Sequence, residues 1–214
     1  MAPTDPRILA LQKAAWDFAD SWHEEEPWLT TARARAADVG CQTVSPGAAS
    51  LLRVLAALTH ASAAVEVGTG AGISAVRLLE GMAPDGVVTS VDAEVEHQVI
   101  AREAVAAAGF GPGRVRLING KPDDVLERLT AQAYDLVLIA TRASQAAAHV
   151  SAGHRLLRPG GVLVVNRAMA GDKIADPAVR DPETTAMRTL VSAFREDERF
   201  TSALLPIGGG LLVA

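Results

Sequence analysis

Cysteine is nearly absent from this sequence, since Cys41 is the single one among 214 residues. One cysteine cannot form an internal disulfide, so a disulfide-stabilised fold is excluded. Cys41 itself fits either a small buried apolar residue or a catalytic thiol, and the first interpretation is favoured because nothing around it suggests activation.

Segments that would direct the chain to a membrane are also missing. The first residues, Met1-Ala2-Pro3-Thr4-Asp5-Pro6, lack the positive and apolar regions of a signal peptide. No apolar run reaches the roughly 18 residues that a membrane span needs. We therefore expect a cytoplasmic protein with no membrane partner.

No block of basic residues occurs, and the net charge is −5 with a pI near 5.5. Acidic and basic residues alternate along the chain, which argues against binding to a phosphate backbone and predicts no nucleic-acid partner. The 49% of hydrophobic and 21% of charged residues are typical of a globular protein. A chain of 214 residues suits one α/β domain, so residues 1–214 are predicted to form a single domain.

Two regions of different pattern divide the chain near residue 60. Residues 1–60 are predicted to be an N-terminal helical extension, with start signals at Asp5-Pro6 and Ser45-Pro46. Residues 61–214 alternate short β-branched runs with amphipathic stretches, as an α/β core does. Strands are predicted over 64–67, 87–92, 115–119, 134–139 and 161–166, and helices over 73–82, 94–108, 123–129 and 144–157. This order predicts a doubly wound parallel sheet.

The C-terminal part has a different pattern. A helix ending near Arg195 is followed by apolar runs over 201–207 and 211–214, which three consecutive glycines, Gly208 to Gly210, join. Glycine reaches the positive φ that a tight hairpin loop requires. The sheet is therefore predicted to have seven strands and an antiparallel last strand.

The most informative segment lies after the first predicted strand, where Gly68, Gly70 and Gly72 precede a helix. Such a turn lets a ligand approach the backbone and meet free amides at the start of the helix. It falls at the carboxyl end of the sheet, where open α/β folds bind ligands. A dinucleotide fingerprint requires G-x-G-x-x-G, which this spacing does not match.

Two carboxylates flank this turn. Glu66 lies on the strand before it, and Asp92 ends the second strand, where a carboxylate can accept the hydroxyls of a ribose. Acids at both places suit a cationic nucleoside better than a pyrophosphate, which they would repel. A tight turn without a ligand, with Glu66 facing the helix dipole and Asp92 acting as a cap, is the alternative interpretation.

These motifs resemble those of class I S-adenosylmethionine-dependent methyltransferases, in particular the catechol and caffeoyl-CoA O-methyltransferases. The similarity covers nearly the whole chain and includes Glu66-Val67-Gly68-Thr69-Gly70, Ser90-Val91-Asp92, Leu157-Arg158-Pro159-Gly160-Gly161 and Leu205-Pro206-Ile207-Gly208. It implies a Rossmann-like fold, a homodimer and S-adenosylmethionine as cofactor. By this resemblance the cofactor-binding residues are Val44, Glu66, Gly68, Thr69, Gly70, Ser74, Asp92, Ala93 and Thr141.

The metal site of that family does not carry over. The cation-dependent members have Asp-Ala-Asp-Lys after the fourth strand and Asp-Asn after the fifth, whereas this chain has Ala140-Thr141-Arg142-Ala143 and Asn166-Arg167. Hard divalent cations need several oxygen ligands, and Asn166 alone cannot hold one. We therefore predict no divalent metal, with Ala140 and Asn166 lining the substrate site instead.

The remaining chemistry centres on two arginines. Arg142 or Arg167 can take over part of the cation's electrostatic role by pairing with a phenolate or a substrate carboxylate. A solvated charge at the end of a strand is the alternative for each. No histidine is predicted to be a base: His60 ends the third helix, His97 faces outward, and His149 and His154 lie on the helix after strand four.

Three functions remain under consideration. The favoured one is an S-adenosylmethionine-dependent O-methyltransferase, independent of metal, that acts on a small aromatic hydroxyl compound. A catalytically silent protein that binds the same cofactor as a sensor or partner subunit is the second, because the metal acids and the family lysine are lost. The glycine spacing disfavours the third, a nicotinamide-dependent oxidoreductase.

Overall fold

The computed structural model describes residues 5–214, so residues 1–4 of the segment discussed for a signal peptide lie outside it. Three helices come first: α1 (Pro6–Asp20), α2 (Pro27–Asp38) and α3 (Pro46–Leu58). Each begins with a proline, whose missing N–H costs nothing at a helix start. The two predicted caps are confirmed, because the side chains of Asp5 and Ser45 accept hydrogen bonds from backbone amides of the first turn.

The rest of the chain forms a seven-stranded sheet with helices on both faces. Its strands are β1 (Ala63–Val67), β2 (Val87–Asp92), β3 (Val115–Asn119), β4 (Tyr134–Ile139), β5 (Leu157–Asn166), β6 (Ala203–Leu205) and β7 (Leu211–Val213). The helices between them are α4 (Ile73–Gly81), α5 (Val95–Ala107), α6 (Pro122–Leu126), α7 (Ala143–Leu156) and α8 (Pro182–Glu196).

The strand order is β3-β2-β1-β4-β5-β7-β6. The strands β1 to β5 pair in parallel, whereas β7 runs antiparallel to both β5 and β6. The predicted doubly wound sheet and its antiparallel last strand are thus confirmed. One difference is the start of β5, which begins at Leu157 and pairs there with Tyr134 across an irregularity in the register.

The two faces of the sheet bury separate apolar layers, because successive side chains of a strand point in opposite directions. On β4, Leu136 and Leu138 pack into the layer that includes α3, α4 and α5, while Val137 and Ile139 pack into the layer that includes α7 and α8. Burial of both faces explains why these strands are continuous apolar runs instead of alternating ones.

The glycine turn after β1 is held against its neighbours on both sides. The Gly68 amide donates to the Val91 carbonyl at 2.8 Å. A Cβ atom at Gly68 would lie 2.6 Å from the Ala140 carbonyl oxygen, and one at Gly72 would lie 2.7 Å from the Ala101 Cα. Both glycines also have positive φ, so neither position accepts a side chain without strain.

The three glycines near the C-terminus form the loop of the β6–β7 hairpin, as predicted, and all have positive φ. This loop also holds the chain that follows β5, because the amides of Ala168 and Met169 donate to the carbonyls of Gly210 and Gly209 at 2.9 Å. The end of β5 is therefore fixed by the far end of the chain.

The first helix attaches to the third through one carboxylate. Asp20 accepts hydrogen bonds from the Ser45 hydroxyl at 2.6 Å and the Gly47 amide at 3.0 Å.

Within residues 5–214, no helix has the length and apolar character needed to cross a bilayer.

A buried carboxyl group joins three elements beneath the glycine turn. Glu66 on β1 has no exposed surface, and it accepts hydrogen bonds from the hydroxyls of Ser74 on α4 and Ser90 on β2. Burial raises the pKa of Glu66 to about 7, and the charge of Asp92 adds to the rise, although the two serine hydroxyls oppose it. The folded protein therefore takes up a proton here near neutral pH.

Replacing Glu66 by Gln is expected to flatten the dependence of stability on pH. The ordinary pKa of the group is 4.5, so between pH 4.5 and about 7 the folded protein keeps a proton that the unfolded chain has released. The stability contributed by this proton is fully present below pH 4.5 and is lost as the pH rises to about 7, a change of about 3 kcal/mol. Urea unfolding across this range measures it.

Glu127→Gln is the matched control, because Glu127 is exposed on the surface. It should leave the pH dependence of the unfolding free energy unchanged. A Glu66→Gln variant that loses stability between pH 4.5 and 7 as steeply as the wild type would contradict the role assigned to the buried carboxyl.

Candidate functional site

A cavity of about 720 Å³ opens at the carboxyl ends of β1, β2, β4 and β5. The strand order changes direction between β1 and β4, and the cavity lies at this switch point. Open α/β sheets bind ligands at such points. The structure brings nearly all predicted site residues to its wall: Val44, Gly68, Thr69, Gly70, Ser74, Asp92, Ala93, Ala140, Thr141, Arg142, Asn166 and Arg167.

Glu66 is the exception, because it lies beneath the cavity wall and not on it. Direct contact between this carboxylate and a bound cation, as the sequence predicted, does not fit the structure. The reason is that Ser74 and Ser90 engage both carboxylate oxygens from the neighbouring elements. Ser74 itself reaches the cavity wall, so Glu66 acts on the cavity by orienting that hydroxyl.

Asp92 at the end of β2 is mostly buried, and its carboxylate is oriented by three hydrogen bonds. The Gly70 amide donates to Oδ2 at 3.1 Å, and the Glu94 amide donates to Oδ1 at 3.0 Å. The His97 ring nitrogen Nδ1 lies 3.1 Å from Oδ2. A carboxylate fixed in this way presents its remaining lone pairs to hydroxyl groups in the cavity.

The start of α4 supplies the donors at the same end. The amides of Ile73, Ser74 and Ala75 have no hydrogen-bond acceptor among residues 5–214, because the helix begins at Ile73 and the preceding turn bends away with positive φ. Free amides at the N-terminus of a helix bind anionic groups. This end of the cavity therefore combines a carboxylate acceptor with free backbone donors.

The opposite end carries two cations. Arg142 precedes α7 and Arg167 follows β5, and neither side chain forms an ion pair within the described part of the chain. Arg167 has a φ of 57°, a costly conformation for a residue with a side chain. Beside it, the Oδ1 atom of the mostly buried Asn166 has no hydrogen-bond partner among these residues. This end is thus suited to an anionic group with a donor.

The donor set at this end does not fit a hard divalent cation. Among residues 5–214 there is no cluster of three or more His, Cys, Asp or Glu side chains that could hold a metal. At the cavity wall, Asn166 offers a single amide oxygen, and Arg142 and Arg167 place positive charge where a cation would lie. Oxygen ligands and negative charge, which Mg²⁺ and Ca²⁺ require, are both lacking here.

Sequence reasoning missed part of the site and misplaced His97. His97 does not face outward: it lines the cavity and contacts Asp92. The position of His97 in the first turn of the helix after Asp92 indicates that the ring can reach this carboxylate. The missed residues of the wall include 40–43, a segment that α2 holds in place. The guanidinium of Arg33 donates to the Thr43 hydroxyl at 2.7 Å and to the Val44 carbonyl at 2.6 Å.

Three of the other four histidines, His60, His154 and His149, have different surroundings. His60 is exposed after α3, and His154 stacks edge-on against Phe200 away from the cavity. His149 is 1% exposed, and its Nδ1 atom lies 2.9 Å from the hydroxyl of Thr141. Only the last is linked to the cavity wall.

Comparison with known proteins identifies the family to which this chain is similar. A model of the O-methyltransferase family matches residues 23–214. A relative from Mycolicibacterium vanbaalenii named "Putative O-methyltransferase" is 47% identical over 211 residues, which are 98% of this chain and 93% of the relative. A crystal structure of a Corynebacterium glutamicum protein is similar with a TM-score of 0.86 and 32% identity, covering 95% of both chains.

A second solved structure, the O-methyltransferase TomG of Streptomyces achromogenes in complex with SAM, shares the fold with a TM-score of 0.80 at 24% identity, over 92% of each chain. The family model covers most of the chain, and the Mycolicibacterium relative is aligned over nearly its whole length. This chain therefore belongs to the O-methyltransferase family.

Proposed function

We propose that this methyltransferase moves a methyl group from S-adenosylmethionine to a hydroxyl group of a small aromatic compound, without a divalent cation. The observation that carries the proposal is the distribution of charged groups along this cavity. Asp92 and the free amides of α4 lie at one end, and Arg142 and Arg167 lie at the other. A cofactor with a ribose and an amino-acid tail suits the first end, and an anionic acceptor suits the second.

The cofactor end matches the groups of S-adenosylmethionine one by one. Asp92 accepts hydrogen bonds from the ribose hydroxyls, as a carboxylate at the end of the second strand does in related folds. The amides at the start of α4 receive the carboxylate of the amino-acid tail. Ser74, oriented by Glu66, and the nearby Thr69 add polar contacts, and Val44, Gly68 and Ala93 complete the wall. Thr141, next to Arg142, lies where the sulfonium of the cofactor meets the acceptor end. When bound, S-adenosylmethionine supplies an electrophilic methyl group.

The acceptor end explains the choice of substrate class. Methyl transfer is an in-line displacement, so the protein must align the acceptor oxygen and favour its ionised form. A guanidinium binds a carboxylate or phenolate in a planar, two-pronged geometry. Arg142 and Arg167 have no ion-pair partner within residues 5–214, and their charge is available for this purpose. Ala140 and Asn166 form the adjoining substrate wall.

The same residues support the proposal that no metal is needed. In a cation-dependent site the metal lowers the pKa of the acceptor hydroxyl, and carboxylates bind that metal. Here a guanidinium, from Arg142 or Arg167, carries the positive charge permanently. A fixed cation at this place stabilises an oxyanion without any ion to bind or lose.

The first test concerns the cofactor. Asp92→Asn should weaken the affinity for S-adenosylmethionine roughly 10- to 100-fold in isothermal titration calorimetry, since hydrogen bonds to a charged group are lost. Asp85→Asn, at an exposed turn, is the control and should bind like the wild type. Equal affinity in wild type and Asp92→Asn, or tight binding of NAD with no response to S-adenosylmethionine, would overturn the cofactor assignment.

The second test concerns the arginines and the metal together. In the presence of EDTA the wild type should methylate 3,4-dihydroxybenzoate as fast as with added Mg²⁺. Arg142→Ala and Arg167→Ala should each raise the KM for this acid roughly tenfold, while the KM for catechol, which lacks the carboxylate, changes less. Arg102→Ala, an exposed arginine on α5, is the matched control.

Two results would contradict this proposal. Activity that EDTA abolishes and Mg²⁺ restores would show that a cation is needed. The absence of methylated product from a broad panel of phenols, with cofactor binding retained, would show that the chain binds S-adenosylmethionine without catalysis.

We further propose that two copies of the chain pair through α1. This helix exposes the large apolar side chains Leu11, Trp16 and Phe18, and the exposed Trp22 just beyond its end packs its ring against that of Phe18. Trp28 on α2 instead packs against the core. Contiguous exposed apolar side chains mark interaction surfaces. Analytical ultracentrifugation should give the mass of a dimer, and Trp16→Ser with Trp22→Ser should give a monomer. Leu58→Ser, at another exposed apolar side chain, should stay dimeric.

A further inference from the structure

A line of polar side chains connects the cavity to the protein surface through a buried histidine. Thr141 lines the cavity, and its hydroxyl lies 2.9 Å from Nδ1 of His149. On the other side of the ring, Nε2 lies 3.3 Å from Oδ1 of Asp123. The His149 side chain is 1% exposed and that of Asp123 is 70% exposed, so the line begins at the acceptor end of the cavity and reaches solvent.

The chemistry of the three groups sets the direction of the bonds. An ionised carboxylate only accepts hydrogen bonds, and Asp123 faces Nε2 of the ring, so its negative charge favours the tautomer that carries the proton on Nε2. A neutral imidazole that donates from Nε2 accepts at Nδ1. The Thr141 hydroxyl therefore donates its proton to His149, and its oxygen keeps lone pairs directed away from the ring, free to accept a proton at the cavity wall.

We propose that Thr141, His149 and Asp123 form a relay that removes the proton from the acceptor hydroxyl during methyl transfer. This inference rests on the function proposed above. Thr141 touches the acceptor, and His149 acts through it as a positioning and proton-holding residue. The arrangement resembles in its roles the hydroxyl, imidazole and carboxylate of hydrolases, but here the hydroxyl passes a proton on and forms no covalent intermediate.

Atoms and charges balance in this step. The acceptor oxygen forms a bond to the methyl carbon as the carbon–sulfur bond breaks, and the electron pair of that bond stays on sulfur. The acceptor proton moves to Oγ of Thr141 while the Thr141 proton moves to Nδ1 of His149. The imidazolium, stabilised by Asp123, later returns its Nδ1 proton through Thr141 to water that refills the cavity.

The surroundings of His149 keep the ring neutral before the reaction. Burial lowers its pKa from the ordinary value of 6.5, while the charge of Asp123 and the hydrogen bond to it act in the opposite direction. Just beyond β4 the ring meets the uncharged Thr141, and from α6 it meets Asp123. On α8, the Glu183 carboxylate accepts a hydrogen bond from the Ala143 amide at 2.8 Å.

The first experiment needs no substrate. Long-range ¹H–¹⁵N NMR of the wild-type protein at neutral pH should show His149 protonated at Nε2 and unprotonated at Nδ1, with assignment by comparison with His149→Gln. The Nδ1 resonance should shift in Thr141→Val, which removes the donor, and return in Thr141→Ser. A ring protonated at Nδ1 would overturn the relay, because Thr141 could then not pass its proton to His149.

The second experiment separates proton transfer from structural support. His149→Gln should lower kcat for 3,4-dihydroxybenzoate by roughly 10²-fold, a usual size for the loss of a positioned base, with little change in KM. It should slow 3,4-dihydroxy-5-nitrobenzoate much less, since the nitro group already ionises the adjacent hydroxyl. His154→Gln, on the same helix but away from the cavity, is the control.

The pH profile gives a third readout. In the wild type, kcat/KM should fall as the pH drops through the pKa of His149, below 6.5, because the protonated ring cannot accept a proton. This acidic limb should disappear in His149→Gln. The relay would be refuted if His149→Gln slowed both substrates equally or kept the acidic limb of the kcat/KM profile. Methylation by the wild type would still support the proposed function in that case. No methylation by the wild type would instead refute the proposed function and leave the NMR result to decide the bond directions.

Discussion

The buried carboxyl of Glu66 is the constraint on which the cofactor end of the cavity depends. It joins β1 to α4 through Ser74 and to β2 through Ser90, immediately beneath the glycine turn. Without a partner, a carboxyl group in this position would be costly to bury, and the two hydroxyls offset that cost. Asp92 ends β2, and the free amides belong to α4. The hydrogen bonds of Glu66 to these two elements therefore fix the distance between the Asp92 carboxylate and the free amides.

Periodicity was sufficient to predict most of the sheet. The bounds of β2, β3 and β4 agree with the predicted ones, because each is a short β-branched run between loop residues. The prediction placed the start of β5 too late, at Gly161, since Pro159-Gly160 is typical of a turn. In the structure the strand begins before this pair and accommodates it as an irregularity opposite β4, which only pairing between distant segments can determine.

The site was predictable where a motif lies at the end of a strand, and not where it depends on how elements pack. Gly68, Asp92 and Asn166 lie at strand ends and meet at one cavity. Whether Glu66 faces the cavity or the core depends on which side of β1 carries the serines. The contribution of residues 40–43 depends on Arg33 of a different helix, and the sequence carries no local signal of that contact.

The two ends of the cavity carry side chains of opposite charge. The proposed reaction joins a cationic donor to an anionic oxygen, so a carboxylate at the donor end and guanidinium groups at the acceptor end favour the binding of both reactants in their charged forms. In the proposed function, Arg142 and Arg167 supply the positive charge at the acceptor end. A guanidinium does not take up a proton, however, and the acceptor proton still needs a destination. The hydrogen bond between Thr141 and His149 begins at the same wall as Arg142. The guanidinium that we propose to stabilise the oxyanion and the hydroxyl that we propose to receive its proton therefore belong to neighbouring residues.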